Sequence, residues 1–301
     1  MKKNQQAIKK PYLFMALCVL PAFTLLLIFL IWPAMQVLYA SFTNAPLIGQ
    51  GDGYDFVGVR NFITMFGDRH FIQSLSNTLR LLLVTPIITI FFALLMAFMI
   101  TQAKLKERAL YRTTLFFPSI VSMVVIGVVW SFVFHPTLGI LNTFLEAIGF
   151  TQFAATPWTG QSSTALWTIA IALIWQGAGY HMVIHIAAID SISVDIFEAA
   201  KIDGAGPVRQ MFNITLPMIR NVVGITFIFA VSGTLNHSFP IARVITGGGP
   251  AGHSRVLLMY MHEQTFVQAN YGYGMAIGAF TLIMAIIIAI ISRAVSHSKE
   301  A

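Results

Sequence analysis

The sequence predicts an all-α, polytopic membrane protein of about six spans, with a helix-turn-helix at the cytoplasmic surface between spans four and five. Three observations carry this reading. Over 301 residues the hydrophobic fraction is 57% and the charged fraction 10%, and the mean hydropathy is +0.77, whereas an ordinary soluble domain is roughly half apolar and a quarter charged. The apolar residues gather into stretches long enough to cross a hydrocarbon core about 30 Å thick, which takes roughly 20 residues of helix because every backbone polar group has to be satisfied within the span. The basic residues fall in the connections between these stretches, so the net charge of +7 orients a chain in membrane lipids and does not mark a nucleic-acid surface.

The spans read Leu13–Tyr39, Leu79–Thr101, Thr113–Phe134, Ala165–Ala188, Met218–Leu235 and Met275–Ser292. The first follows Lys2, Lys3, Lys9 and Lys10, as a secretory signal would, but its apolar run is long and no small-x-small cleavage site closes it; it reads as an uncleaved helix. Residues 1–40 are then a tail and first helix, 41–78 an outer loop with Pro46, Gly49, Gly51 and Gly53, 79–292 the membrane core, and 293–301 a second tail. The fifth span is diluted by Gly224, Ser232, Gly233 and Thr234 and is expected to run on into Asn236-His237-Ser238. With the N-terminus inside, 13 of the 18 Lys and Arg residues lie on the inner side, Lys104, Lys106, Arg108, Arg112, Lys201 and Lys299 among them. Only Arg60, Arg69, Arg80, Arg243 and Arg255 lie outside, which predicts an inner-membrane protein with both termini in the cytoplasm. The three outer loops serve either an external partner or simple connection.

Candidate chemistry is sparse. The single cysteine, Cys18, excludes an intrachain disulfide and a Cys-rich metal site. No Asp or Glu occupies the middle of a span, where an ion-coupled secondary carrier would keep a relay or coupling group. Uptake by the purified chain under an ion gradient alone would favour such a carrier. His181 and His185 have the i, i+4 spacing of metal ligands, but no carboxylate or cysteine joins them, and they read as packing or interfacial residues. The run Gly247-Gly-Gly-Pro-Ala-Gly252-His253-Ser254 has the glycines of a phosphate loop, with His253 where its lysine is needed. No nucleophile, base and orienter come together, so no catalytic residue, metal or cofactor is expected, and a membrane-embedded enzyme or assembly factor is disfavoured.

The cytoplasmic segment 190–217 is the most informative. Asp195 and Glu198 have the spacing of a capping box that would begin a short helix. Gly204 supplies its stop, Pro207 opens a second helix, and Pro217 punctuates the start of span five. Phe197, Ala200 and Ile202 offer an apolar face, which either docks a cytosolic partner or lies on the membrane surface.

Glu198-Ala199-Ala200, three residues, Gly204, nine residues, then Ile214-x-Leu216-Pro217 resembles the EAA loop of importer permeases at seven positions without a gap. Phe56-Val-Gly58-Val-Arg-Asn61-Phe62, with Asn77-Thr78, is similar to that family's first outer loop, and Thr246-Gly-Gly-Gly-Pro250 to the T-x-G-G-P element of the first permease in maltose and glycerol-3-phosphate importers. Gly249 adds a third glycine, and His253 replaces a small polar residue. The resemblance implies a non-enzymatic type I permease of an ATP-binding cassette importer for a sugar, oligosaccharide or glycerol-phosphate-like solute. Its partners would be a second permease, a dimer of separate ATPase subunits and an extracytoplasmic solute-binding protein. The helix bearing Glu198, Ala199, Ala200 and Gly204 would couple to the ATPase, with Glu198 and Asp203 as contact or capping groups and Ile214, Leu216 and Pro217 completing the loop.

Sugar sites combine stacking surfaces with a few hydrogen-bonding groups, and Trp175, Gln176, Gly177 and Tyr180 offer that mixture. Trp175-x-Gly177-x-x-Tyr180 also resembles the segment lining the solute site of the maltose-type subunit. Thr234, Asn236 and Ser238 form the expected facing group. The alternative, Trp175 and Tyr180 as an interfacial aromatic belt, stays open.

Overall fold

Helical spacing of small and apolar residues builds a bundle of long helices that press against one another through alanine and glycine. The computed structural model describes residues 12–45, 55–102 and 107–297. Lys2, Lys3, Lys9, Lys10, Lys104, Lys106 and Lys299, which carry much of the orientation argument, lie outside the described residues, as do Pro46, Gly49, Gly51 and Gly53. Among the described residues the backbone is helical apart from its connections and one isolated bridge between Thr43 and Phe56.

Helix α1, Tyr12–Leu26, continues through a π turn, Leu27–Ile31, into α2, Trp32–Ser41. The widened turn precedes Pro33, whose ring crowds the carbonyl one turn back and offers no N–H. From Leu17 to Ile31 every described side chain is exposed; α2, by contrast, leans on the last helix, with Val37 beside Gly278. After α3, Arg60–Gly67, the chain enters α4, Arg69–Gln102. This helix begins ten residues before the expected Leu79, because Asp68 Oδ1 accepts the His70 amide at 2.8 Å and the Thr78 hydroxyl donates to the Ser74 carbonyl.

The expected third span is not one straight helix. It divides into α5, Arg108–Phe116, a 3₁₀ turn, Phe117–Ile120, and α6, Met123–Val133, bent by 101°. Pro118 withdraws an N–H from the ladder, and Val121 and Ser122 are extended, with ψ of 142° and 138°. Next come α7, Ile140–Ala147; α8, Ala165–Asp190; α9, Val194–Ile202; α10, Pro207–Gln210; a π turn, Met211–Thr215; and α11, Leu216–Met218. The remaining helices are α12, Arg220–Ile245; α13, Leu257–His262; and α14, Tyr271–His297. Five described helices are long and apolar enough to cross a membrane, and the bent pair makes a sixth.

The fifth span runs on through Asn236-His237-Ser238, as expected, and beyond them to Ile245. Its polar residues do not break it, since Thr234, Asn236 and Ser238 turn their hydrogen-bonding atoms back on the carbonyls of Ala230, Ser232 and Leu235.

Packing centres on α4, α8 and α12. Ala93 and Ala97 of α4 meet Met182 and Ile186 of α8, all fully buried or nearly so. Gly179 permits a tighter approach: a Cβ there would stand 2.0 Å from the Leu115 carbonyl oxygen of α5. Small residues serve this purpose in a membrane, where lipid removes the hydrophobic incentive to associate and close packing supplies it.

Away from α9, the far end of the bundle is tied by polar groups. Asn61 donates to the carbonyls of Ser41 and Thr43 at 2.9 and 2.8 Å, and Asn77 to those of Gly252 and Arg255 at 2.9 and 3.0 Å. Thr78 accepts the Leu257 amide at 2.8 Å. Asp68 Oδ2 accepts the hydroxyls of Tyr260 and, at 2.7 Å, Tyr273, joining the start of α4 to α13 and α14. Burial pushes the Asp68 carboxyl up, but these hydrogen bonds and two backbone ones together outweigh it and hold its pKa below the ordinary value. The same burial and the carboxylate push Tyr260 up.

Candidate solute cavity and coupling segment

At the end of α8 the chain builds a stiff bracket. Ser193, not Asp195, caps α9: its Oγ accepts the Asp195 amide at 3.3 Å. The capping box expected from Asp195 and Glu198 is therefore displaced, because Asp195 already sits inside the first turn, where a carboxylate complements the positive helix end. Gly204 has φ +76°. Around it the Ala205 amide reaches the Ala200 carbonyl at 2.8 Å and the Gly204 amide that of Lys201 at 3.1 Å, the paired bonds of a Schellman terminus. The Gln210 side chain of α10 then donates through Nε2 to the Ala205 carbonyl at 2.7 Å.

The face expected from Phe197, Ala200 and Ile202 is split. Phe197 packs against the cluster around Ile186 and Ile189 and Ala200 is buried, while Ile202 is 87% exposed. Five residues of helix carry Ile202 about 140° round from Phe197. Glu198, Ala199, Asp203 and Gly204 are exposed on the outer side, Ile214 and Leu216 are half-buried, and Pro217 is exposed. Among the described residues neither Glu198 nor Asp203 enters an ion pair. Beside the bracket, Arg108 of α5 grips Asp190 of α8 through both carboxylate oxygens, at 2.8 and 2.6 Å.

A cavity of about 270 Å³ opens between α4, α8, α12 and the elbow of the bent pair. Helix α4 contributes Thr85 and Thr89, the elbow Ser119, and α8 Gln176, Gly177, Tyr180 and His181. From α12 come Phe229, Gly233, Thr234 and His237. These positions recur every three or four residues, which places them on one stripe of each helix, and they lie near the middle of α8 and α12. Helices α4 and α8 nearly touch here, since a Cβ on Gly177 would lie 3.3 Å from Thr89. The Ser119 hydroxyl donates to the Gln176 carbonyl at 2.8 Å, fastening the elbow to α8. The buried Thr85 hydroxyl and His181 Nδ1 have no hydrogen-bond partner among the described residues, so polar capacity is left over in the wall.

Of the residues expected to face solute, Gln176, Gly177, Tyr180 and Thr234 line the cavity, and three do not. Trp175 turns to α6 and meets Trp130 edge-on at 5.8 Å, being one residue, about 100°, off the Gln176 stripe. Ser238 is buried against its own helix. Asn236 is exposed beside the stripe, its amide donating to the Ser232 carbonyl at 3.0 Å. His185 is fully buried, its Nε2 2.9 Å from the Thr226 hydroxyl. No cluster of metal-ligating residues occurs among the described residues.

Long apolar helices around a polar cavity near their midpoints, with a rigid bracket at one end, make a polytopic membrane protein. The chain belongs to the family of binding-protein-dependent transport system inner membrane components, which residues 69–299 match. It is accordingly a permease subunit of an ATP-driven importer, a transport component and not an enzyme. It is 30% identical over 278 residues to the diacetylchitobiose uptake system permease protein NgcF of Streptomyces coelicolor, covering 88% of this chain and 78% of that one. It is 31% identical over 256 residues to the sn-glycerol-3-phosphate transport system permease protein UgpA of Yersinia enterocolitica, covering 85% and 83%. The fold matches, with TM-score 0.82 and 24% identity over 98% of both chains, a chain of a bacterial alginate ATP-binding cassette transporter solved with an alginate pentasaccharide-bound periplasmic protein.

Proposed function

We propose that the chain forms half of the path by which a saccharide or glycerol-phosphate-like solute enters the cell across the cytoplasmic membrane. The observation that carries this is the polar and aromatic cavity at the mid-depth of α4, α8 and α12. Lipid would not be left against such a surface, because unpaired polar groups are costly in hydrocarbon. Its size is below the roughly 300–1,000 Å³ of a complete small-molecule site, and its rim residues Tyr180 and Phe229 are 44% and 52% exposed. Asn236, exposed two turns further along α12 from Phe229, adds a polar edge. A second permease closing this rim completes the site, and the names and assemblies of the relatives support a sugar or polyol-phosphate class.

On the opposite side of the mechanism, exposed Glu198, Ala199, Asp203 and Gly204 on a rigidly terminated helix suit a seat in a separate ATPase, of which two copies are needed. Of the remaining residues of the loop, Ala200 is buried, Ile214 and Leu216 are half-buried, and exposed Pro217 punctuates the entry to the next span. An extracytoplasmic binding protein delivers the solute to the far end, and both termini lie in the cytoplasm.

In the assembled transporter, Thr234→Val removes one hydrogen-bonding group and weakens apparent solute affinity about two- to tenfold, while Tyr180→Ala, which also removes a stacking face, weakens it by roughly tenfold or more. Unchanged apparent affinity and maximal uptake rate in both variants would show that these residues are membrane anchors and that solute passes elsewhere.

A further inference from the structure

Helix α4 carries a stripe that changes character along its length. Arg69, Gln73, Ser76 and Arg80 are spaced by four, three and four residues, and Leu83, Ile87 and Phe91 continue the same stripe at intervals of three and four. All seven therefore share one helix face. The continuation is exposed, at 66% for Leu83, 52% for Ile87 and 55% for Phe91, as a surface against acyl chains would be. The twenty residues Leu81–Ile100 hold no charged side chain and match the thickness of the hydrocarbon core, roughly 30 Å. Arg80 is the first charge beyond that stretch, and a hydrocarbon core matched to Leu81–Ile100 would set it at the level of the lipid phosphates.

Here the stripe becomes one wall of a groove of about 510 Å³, lined by Arg69, Gln73, Ser76, Asn77 and Arg80, with His253 across it on the glycine turn. No carboxylate lines the groove. The nearby acids are engaged elsewhere: Asp68 accepts the two tyrosine hydroxyls, and Glu263 pairs with Arg255 at 3.3 Å. Neither Arg69 nor Arg80 enters an ion pair among the described residues. The Gln73 amide group is held in place by its bond to the Ala251 carbonyl at 3.2 Å.

We propose that this groove is a binding site for the phosphodiester headgroup of an anionic membrane lipid, with the acyl chains lying along Leu83, Ile87 and Phe91. Arg80 at the hydrocarbon border faces the phosphate, Ser76 and Gln73 offer hydrogen bonds to a polyol headgroup, and Arg69 and His253 form its outer rim. The stripe decides between a lipid and a soluble anion: only an amphiphile satisfies the basic and the apolar half of one continuous face. The site lies on the side of α4 turned away from Thr85 and Thr89, about 140–180° round the helix from Arg80, so it is separate from the solute cavity. The inference rests on the bilayer setting of α4 alone, and solute uptake is not its readout.

The test is native mass spectrometry of the full chain in its assembled complex, titrated with phosphatidylglycerol, with phosphatidylcholine as the zwitterionic control. Each arginine near an anionic lipid contributes on the order of fivefold in affinity, so R69Q/R80Q should retain phosphatidylglycerol roughly 25-fold less well while phosphatidylcholine binding stays unchanged. R69K/R80K, which preserves both charges, should bind within a few-fold of the parent. Should the glutamine pair fail to fold, Ser76→Glu places a carboxylate in the groove with both arginines intact and should weaken binding in the same sense. Undiminished phosphatidylglycerol binding in R69Q/R80Q, or in Ser76→Glu, overturns the proposal. So does displacement of the lipid by an equal concentration of inorganic phosphate, which would assign the groove to a soluble anion. Photo-crosslinking of another subunit of the complex by a photoreactive residue substituted for Ser76 would assign it to a protein and overturn the proposal equally.

Discussion

Asp68 shows how much one residue can organise. It caps the start of α4 through the His70 amide and collects the hydroxyls of Tyr260 and Tyr273. Asp68→Asn keeps the shape but exchanges charge-assisted bonds for neutral ones, and should cost about 1–2 kcal/mol, within the range for hydrogen bonds to a charged group. The pH dependence follows from the depressed pKa of Asp68. A carboxyl whose folded pKa is lowered contributes its full stability above the unfolded value of about 3.9 and loses it as pH falls through the folded value. Thermal unfolding of the detergent-solubilised chain should thus show a smaller gap between parent and Asp68→Asn below about pH 4 than at pH 7. A gap that does not narrow would mean that the carboxylate charge is not what the tyrosines read. Little of this was legible beforehand: the residues are separated by up to 205 positions, and Asp68 sits in a stretch that reads as loop.

Among the elements, α9 was the most legible and the bent pair the least. Gly204, Pro207 and Pro217 are punctuation with a local cause, so their effects survive into the fold. Ser193 was passed over because Asp195 is an equally good cap type and its partner Glu198 stood at the right distance; the choice between neighbouring caps depends on where α8 ends, which is a packing matter. Pro118 gave a signal, but a proline inside a long apolar run also occurs in unbroken helices, as Pro86 does in α4, and only the three-dimensional contact of Ser119 with Gln176 separates the two outcomes. Thr85 and Thr89 were missed for a related reason: in an apolar run, hydroxyls that bond their own helix cannot be told from hydroxyls that face a cavity. The capped end of α9 makes a clear prediction. No atom lies within 4 Å of a Cβ built on Gly204, so Gly204→Val meets no clash and its cost is backbone strain at φ +76°, about 1–3 kcal/mol. Under the proposed coupling it should lower both co-purification of the ATPase and solute uptake, with the membrane topology unchanged by cysteine-accessibility mapping. Normal uptake in Gly204→Val would remove the helix terminus from the coupling path.

At the scale of the whole molecule, hydropathy identified the spans because the bilayer imposes it on every crossing segment alike, and a seven-position motif identified the family. Neither specifies which helix faces touch. That information lies in residues such as Gly179 and Ala97, whose small size matters only opposite a particular neighbour. The stretch from Leu17 to Ile31 lies beyond that kind of specification altogether, since its described side chains face outward on all sides. Nothing in the bundle depends on which apolar residue stands where along it. Reordering the apolar residues of 17–31 at constant composition, with Pro21 kept in place, should therefore leave membrane insertion intact and the unfolding temperature of the bundle within about 2 °C of the parent, because a change well under 1 kcal/mol shifts a domain of this size by no more than that; a larger drop would reveal a neighbour that grips the segment. What this stretch transmits from gene to membrane is an amount of oiliness, not a message in letters. To the bundle itself its order is a shuffled deck, while far along the chain in α8 a single methyl group added at Gly179 would collide with a carbonyl oxygen.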